Sequence, residues 1–437
     1  MDTLERTRRP VLGLVVVLAL AGCSTGTTPS PTSTGGPSST APGATPEPTT
    51  GGSPTPPTPS AEPISTPSVT ASAAPGVSLP PPPTGAWRPV ASQVAVSGAQ
   101  LQDVVWTGTR FEAVGDGEFL DSTDGRTWRS RDAGDPAALP TRIASGPSGF
   151  VAIGTIDGRL ASWASPNGVQ WSWHIKNFPA SAASVDRVTV TDVVATPSGW
   201  LAVGREDPAC AVECQMTPVR GLVWTSTDGL TWKRVTGQTA LENGGINAVA
   251  AGGPGFVAVG IASGHAAVWL SPDGHAWSRV ADSATFGAPA GSDKDAVVVA
   301  NGVAAGHGSI VVVGMAFALD KNGTQGVMAW RSADGTAWST ATVDHWTFGQ
   351  AFAVAATQDR FLMTGPSGED SCLGGIWSST DGASWACEAS DPAFEGFGPY
   401  AAAGSPTIEV AVGLTSAGWD SSGGAGMPGS VWWRAAP

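Results

Sequence analysis

Tyrosine occurs once in the 437 residues, at position 400, and lysine only four times. Charged residues make up 13% of the chain and the formal net charge is -14. A surface this sparse and this acidic excludes nucleic acid, and makes anionic lipid headgroups a poor partner for the mature surface. The five histidines, at 174, 265, 275, 307 and 345, fall at no metal-ligand spacing, and there is no Gly-Lys-Ser/Thr phosphate loop. No metal or cofactor is expected, and Asp293-Lys294-Asp295 reads as a solvated loop rather than a calcium site. The apolar run from Val11 to Ala21 is too short to span a bilayer as a helix. Tryptophan is abundant, with 19 copies, and a hydrophobic fraction of 41% is enough for a substantial core.

Residues 1–22 read as an export signal: Arg6, Arg8 and Arg9, then the apolar run, then small residues. Leu20-Ala21-Gly22-Cys23 resembles the lipobox of bacterial lipoproteins, which implies that Cys23 is acylated and becomes the new N-terminus. By that resemblance the bilayer is a partner through the acyl chains of Cys23, at the extracytoplasmic face of the cell membrane. Residues 23–84 follow as a linker of Pro, Ser, Thr, Gly and Ala, with Glu47 and Glu62 its only charges and no aromatic residue. Such a composition cannot bury a core and is expected to act as a disordered tether.

From 85 to 437 the chain is organised by a repeated phrase, Ser-x-Asp-Gly-x-x-Trp. Its copies run Ser122 to Trp128, Ser165 to Trp171 (with Asn167 in the Asp place), Ser226 to Trp232, Ser271 to Trp277, Ser332 to Trp338 and Ser379 to Trp385. Each is preceded by two short apolar runs separated by a turn. The second run ends in Gly, as in Phe150 to Gly154 and Trp200 to Gly204, and a third segment carries Trp163, Trp224, Trp269, Trp330 or Trp377 two residues before the Ser. Short apolar runs between turn signals read as strands buried on both faces. Seven units of four such strands predict an all-β fold, a seven-bladed β-propeller. Ser430-Val431-Trp432-Trp433 matches a third strand with no phrase after it, and Trp87-Arg88-Pro89-Val90 matches a fourth strand with only linker before it. The termini are therefore expected to share the last blade and close the ring.

The phrase resembles the Asp box, or BNR repeat, of bacterial sialidases and of many propellers that are not enzymes. In that family the boxes lie at the blade edge away from the active site, which implies that Asp124, Asn167, Asp228, Asp273, Asp334 and Asp381 are structural, each the edge clasp of its own blade. Physically the box is a tight turn: the carboxylate accepts backbone amides, Gly tolerates positive φ and Trp plugs between strands.

Strand parity puts the second-to-third loops and the blade connections on the face opposite the boxes. The long insertions, 205–221, 315–327, 366–375 and 414–429, lie there, where binding is usually placed. Counting back from each second-strand Gly gives a register of inner-strand residues around the channel mouth: Gln102, Thr141, Thr191, Asn247, Asn301, Phe352 and Tyr400. The neighbouring register includes Asp103, Arg142 and Asp192. Two readings remain open: hydrogen bonds to adjacent blades and channel water, or a small polar ligand or sugar held by the amides with Phe352 or Tyr400 as a platform. Trp173, Trp346, Phe348, Phe394, Phe397 and Trp419 could extend that platform. Glu409 stands where other units carry Phe, Trp or Ile, and is expected to be partly buried with a shifted pKa.

Sialidases of the resembled family use an Arg triad, a Tyr nucleophile assisted by Glu, and an Asp acid/base. The inner register offers only Arg142, no Arg-Ile-Pro phrase precedes the first box, and Tyr400 alone matches in residue type. A carboxylate pair such as Glu369 or Asp370 with Asp391 or Glu395 is the other hydrolytic option. Four cysteines remain beside Cys23, allowing three disulfide pairings; Cys210 with Cys214 and Cys372 with Cys387 are favoured, and a zinc site is the alternative. The expected function is a monomeric binding or scaffold propeller for a glycan, peptide or envelope protein, with a sialidase-like or other glycoside hydrolase as the alternative.

Overall fold

The computed structural model describes residues 85–90, 100–175, 177–179, 187–207, 220–281, 283–320, 323–347, 349–366, 372, 374–388, 398–414 and 429–437. They belong to one compact unit, Ser78–Pro437. Residues 1–84, Cys23 among them, and Cys210, Cys214, Phe348, Glu369, Asp370, Asp391, Phe394, Glu395, Phe397 and Trp419 lie outside the described residues.

The fold is a seven-bladed β-propeller. The first blade runs outward in chain order through Leu101–Trp106, Phe111–Gly115, Glu118–Ser122 and Arg129–Asp132. The inner strands of the following blades are Ala138–Gly146, Arg187–Thr196, Gly244–Gly252, Val297–Gly306, Ala353–Ala356 and Pro399–Gly404. Each touches the next, and the last touches the first, so the ring closes. As the sequence predicts, the termini share the last blade: Arg88 pairs with Trp433, Pro89 with Trp432, and Val90 N donates to Val431 O at 3.0 Å. The Pro is tolerated because this is an edge strand. The sixth blade departs from four strands. Thr342–Val343, in the connection from the fifth blade, pairs in parallel with the outer strand Ser384–Cys387 and covers its edge.

The core is not a single mass. Seven apolar clusters occupy the seven blade junctions, and the smallest, between the sixth and seventh blades, contains Trp87, Leu362, Ile376, Ala402, Ala411 and Trp432. The third-strand tryptophans are fully buried in these junctions. Each also anchors the connection arriving from the preceding blade by donating its indole N–H to a carbonyl: Trp163 to Ala133 at 3.0 Å, Trp224 to Pro179 at 2.9 Å, Trp269 to Ala240 at 2.7 Å, Trp330 to Thr285 at 2.7 Å and Trp377 to Asp344 at 2.9 Å. A buried indole N–H needs such a partner.

The boxes form the expected turn. Asp228 Oδ1 accepts from Leu230 N at 2.8 Å, Thr231 N at 2.7 Å and Ser226 Oγ at 2.9 Å, and Ser226 Oγ accepts from Gly229 N at 2.9 Å. Asn167 Oδ1 serves Val169 N at 2.9 Å and Gln170 N at 3.1 Å, so the amide replaces the carboxylate without changing the turn. Burial raises the Asp228 pKa, but the amide hydrogen bonds outweigh it and hold the carboxyl below the usual range. The turn clasps its own blade through these bonds and also seats on the preceding blade. A Cβ on Gly229, at φ 74°, would lie 2.2 Å from Val151; one on Gly274 would lie 2.5 Å from Leu201, and one on Gly382 2.4 Å from Val311. The box is a joint between blades.

Candidate functional site

In six inner strands the pairing with the second strand slips by one residue, and the slip falls on Gln102, Thr141, Thr191, Asn247, Asn301 and Tyr400. Phe352 holds the corresponding place in the sixth blade, just before its inner strand, donating its N–H to Thr364 O at 2.8 Å. The register counted from sequence is therefore a ring of β-bulges, features that re-aim side chains at barrel rims and sites. The second-strand Gly lies opposite because the bulge presses a carbonyl onto it. A Cβ at Gly154, Gly204, Gly260, Gly314 or Gly365 would sit 1.9–2.0 Å from that oxygen.

All seven ring residues are half-buried, but they divide by what they bind. Thr191 Oγ1 donates to Ile246 O at 3.0 Å, Asn247 Nδ2 to Ala300 O at 2.9 Å and Asn301 Nδ2 to Ala351 O at 2.9 Å. Each acceptor is the residue before the next blade's ring position, so these side chains lace adjacent bulges together. Arg205 Nη1 donates to Asn247 Oδ1 at 2.7 Å, completing that amide. Thr141 Oγ1 bonds within its own blade, to Ile153 O at 3.3 Å.

The neighbouring register repeats the device. Asp103 accepts from Val104 N at 2.9 Å and, across the junction, from Ile143 N at 2.9 Å; Asp192 accepts from Val193 N at 2.8 Å and from Val249 N at 2.8 Å. Arg142 lies on the blade between them and donates to Thr141 O at 2.7 Å. Burial raises both carboxyls, Asp192 to about 7, and the charge of Arg142 opposes the rise. The equivalent residues of the remaining blades are Ala248, Gly302, Ala353 and Ala401, so the charge is confined to one sector.

Beyond that sector stand Phe352 on the sixth blade and Tyr400 on the seventh, with ring centroids 5.8 Å apart, and Gln102 lies on the adjoining first blade, next to Asp103 in its strand. The side chains of Gln102 and Tyr400 make no hydrogen bond among the described residues. Burial raises the Tyr400 phenol pKa. Asp116, in the two-residue hairpin after Gly115, was not singled out by the sequence; burial alone pushes it up to about 6. Of the platform aromatics, Trp173 and Trp346 are exposed, Trp346 packing closely against Gly326.

Glu409 belongs to a different assembly. Arg434 Nε donates to Glu409 Oε2 at 2.6 Å, and its Nη1 and Nη2 donate to the two oxygens of Glu388 at 2.5 and 3.1 Å. Thr357 Oγ1 reaches Glu409 Oε1 at 3.2 Å, and Arg360 lies 3.7 Å from Glu409 and 3.9 Å from Glu388. Burial raises Glu409 as expected, and Arg434 pulls the other way. The four charges compensate one another at the junction with the smallest apolar cluster. Their place is structural.

Among the described residues no group of three or more potential metal ligands gathers, and no helix is long and apolar enough to cross a membrane. No protein-family model matches the chain, and no curated protein matches it. Similar solved structures include an ancestral GH74 enzyme (14% identity, TM-score 0.44, 78% of this chain and 48% of that one) and a streptogramin B lyase (8% identity, TM-score 0.48, 80% and 98%). A Trypanosoma rangeli sialidase complexed with the inhibitor DANA is similar at 14% identity and TM-score 0.41, over 71% of this chain and 56% of that one. The chain thus spans about half the length of the GH74 enzyme, and none of these similarities assigns a ligand.

Proposed function

We propose that this chain is an extracytoplasmic, lipid-anchored binding propeller that seats a sugar ring of a glycan against Phe352 and Tyr400, with the Gln102 amide as a hydrogen-bonding partner. The observation that carries this reading is the division of the bulge ring. Thr191, Asn247 and Asn301 spend their polar groups on the neighbouring blade, whereas the side chains of Tyr400, paired with Phe352, and of Gln102, on the adjoining blade, make no hydrogen bond among the described residues. An aromatic face with a few convergent polar groups is the usual make-up of a small-ligand site.

The hydrolase alternative is less well supported by the same geometry. A Tyr nucleophile needs its phenol activated, and burial shifts Tyr400 in the opposite direction. The single ring guanidinium, Arg142, donates to a backbone carbonyl beside the two anchored carboxylates. A glycan array probed with the full chain tests the proposal: binding should drop at least tenfold in Tyr400→Ala and Gln102→Ala. No captured glycan would reject it, and turnover of a fluorogenic sialoside that is lost in Tyr400→Phe would establish the hydrolase instead. For the anchor, Cys23→Ser should release the protein from membranes; retention would reject lipidation at that residue.

A further inference from the structure

The box of the third blade departs from the others in one bond. In five boxes the Trp indole donates to the carbonyl of its own box Gly, as Trp128 does to Gly125 at 3.1 Å and Trp277 to Gly274 at 3.1 Å. Trp232 donates instead to Ser162 Oγ of the second blade at 3.1 Å, and Ser162 relays the bond to Gly229 O at 2.8 Å. Asn177 Nδ2 donates to Leu230 O at 2.9 Å and also to Ser162 Oγ. The turn is thereby tied to the second blade at two successive carbonyls.

A cleft of about 290 Å³ opens between these two blades on the box face. Its apolar lining comes from Phe150, Trp200, Pro166 and Leu230, and Trp200 is the buried member. Its exposed lining is hydroxylic: Ser148, Ser172 and Thr227 contribute side chains without a hydrogen bond among the described residues, beside the Asp228 carboxylate. Asp228 Oδ1 accepts from Ser226 Oγ, Leu230 N and Thr231 N, which fixes the carboxylate at the edge of the cleft.

Charge narrows the ligand class. The ionised Asp228 disfavours an anion, and the nearest guanidinium, Arg110, 5.3 Å from the Phe150 ring, is already paired with Glu112 at 2.5 Å and offers no charge to an anionic ligand. The volume is at the small end for a ligand cleft. We infer that the cleft between the second and third blades is a binding site for one neutral pyranose, with its C–H face against Phe150 and Leu230 and its hydroxyls toward Ser148, Ser172, Thr227 and Asp228. This site is independent of the channel mouth and lies on the opposite face of the ring.

Ligand-observed saturation-transfer NMR on the full chain tests it, with methyl glucoside, methyl galactoside, methyl mannoside and N-acetylglucosamine as probes. At least one probe should bind, with a Kd on the order of 1 mM. Binding should survive Tyr400→Ala, and fall tenfold or more both when Ser172→Tyr fills the cleft and when Ser148→Ala, Ser172→Ala and Thr227→Ala together remove its hydroxyls. These positions are exposed, so an unchanged thermal unfolding curve will show that the variants fold. Transfer untouched by the cleft variants, transfer abolished by Tyr400→Ala, or no transfer from any probe would each overturn the inference. The second of these would relocate binding to the channel mouth without harming that reading.

Discussion

The Arg434 guanidinium lies over the indole of Trp87, with Cζ 4.4 Å from the ring centroid, and Trp87 Nε1 donates to Glu388 Oε2 at 3.2 Å. The residue that immediately precedes the closing strand Arg88–Pro89 is thus held by the charge network that fills the last junction. Trp87→Ala should cost about 3–5 kcal/mol of stability, as for other buried aromatic truncations. Arg434→Met should cost a similar 3–5 kcal/mol, because it strands two buried carboxylates. Adding Glu388→Gln and Glu409→Gln to Arg434→Met should recover part of the loss. Denaturant titration measures all three; an Arg434→Met protein as stable as the parent would show that the network does not hold the ring shut.

Two sets of carboxylates give the stability profile opposite slopes. Burial raises Asp192 and Glu112 to about 7 and Asp116 to about 6. Their unfolded values are about 4, so between pH 4 and 7 the unfolded chain holds fewer protons than the folded one. Their contribution is full below pH 4 and is lost as pH rises to 7. The box residues Asp124, Asp228, Asp273, Asp334 and Asp381 are lowered by their amide hydrogen bonds, so their contribution is present above pH 4 and lost below it. Unfolding midpoints measured from pH 3 to 8 should therefore peak near pH 4 to 5. Asp192→Asn should flatten the limb between pH 4 and 7; an unchanged slope would contradict the assignment to Asp192.

Close approach, not backbone conformation, fixes the second-strand glycines. A Cβ at Gly314 would lie 1.9 Å from Val299 O, in backbone that cannot retreat without undoing the bulge at Asn301. Gly314→Ala should destabilise by at least about 2 kcal/mol through overpacking and weaken the Asn301 bond to the next blade. At Gly323 nothing lies within 4 Å, so Gly323→Ala meets only the strain of its φ of +77°, about 1 kcal/mol. Equal losses at both sites would refute the steric account.

That constraint also explains what could be read in the sequence. The bulge ring was reachable by counting because a Gly must stand across from every bulge, and the blade count followed from a box whose turn is closed by bonds within the phrase, such as those of Leu230 N and Thr231 N to Asp228 Oδ1. The termini announced their shared blade through Trp87 and Trp433. What stayed hidden depends on the register between neighbouring blades. Nothing local distinguishes Gln102 from Asn301, yet one reaches the next blade's carbonyl and the other does not. Glu409 was visible as an anomaly, but its partners Glu388 and Arg434 are 21 and 25 residues away in sequence and meet it only where the ring closes. The edge strand Thr342–Val343 carries no box or Gly signal and exists because the outer edge of the sixth blade accepts it.

The expected pairing of Cys372 with Cys387 is present, with Cα atoms 5.4 Å apart. Cys372 is fully buried against the sixth-blade core that includes Trp377 and Trp385, and Cys387 immediately precedes Glu388. The bond closes a loop with a sequence separation of 15, for which the lost unfolded-state entropy corresponds to about 3 kcal/mol. Reduction, or Cys372→Ser with Cys387→Ser, should lower stability by about that amount. Part of the loss should come from freeing the strand end that presents Glu388 to Arg434 and Trp87. The double cysteine replacement and Trp87→Ala should then be non-additive, with a coupling of at least about 0.5 kcal/mol. Strict additivity in denaturant titrations would mean that the disulfide braces the sixth blade alone and leaves the closure of the ring to the charges.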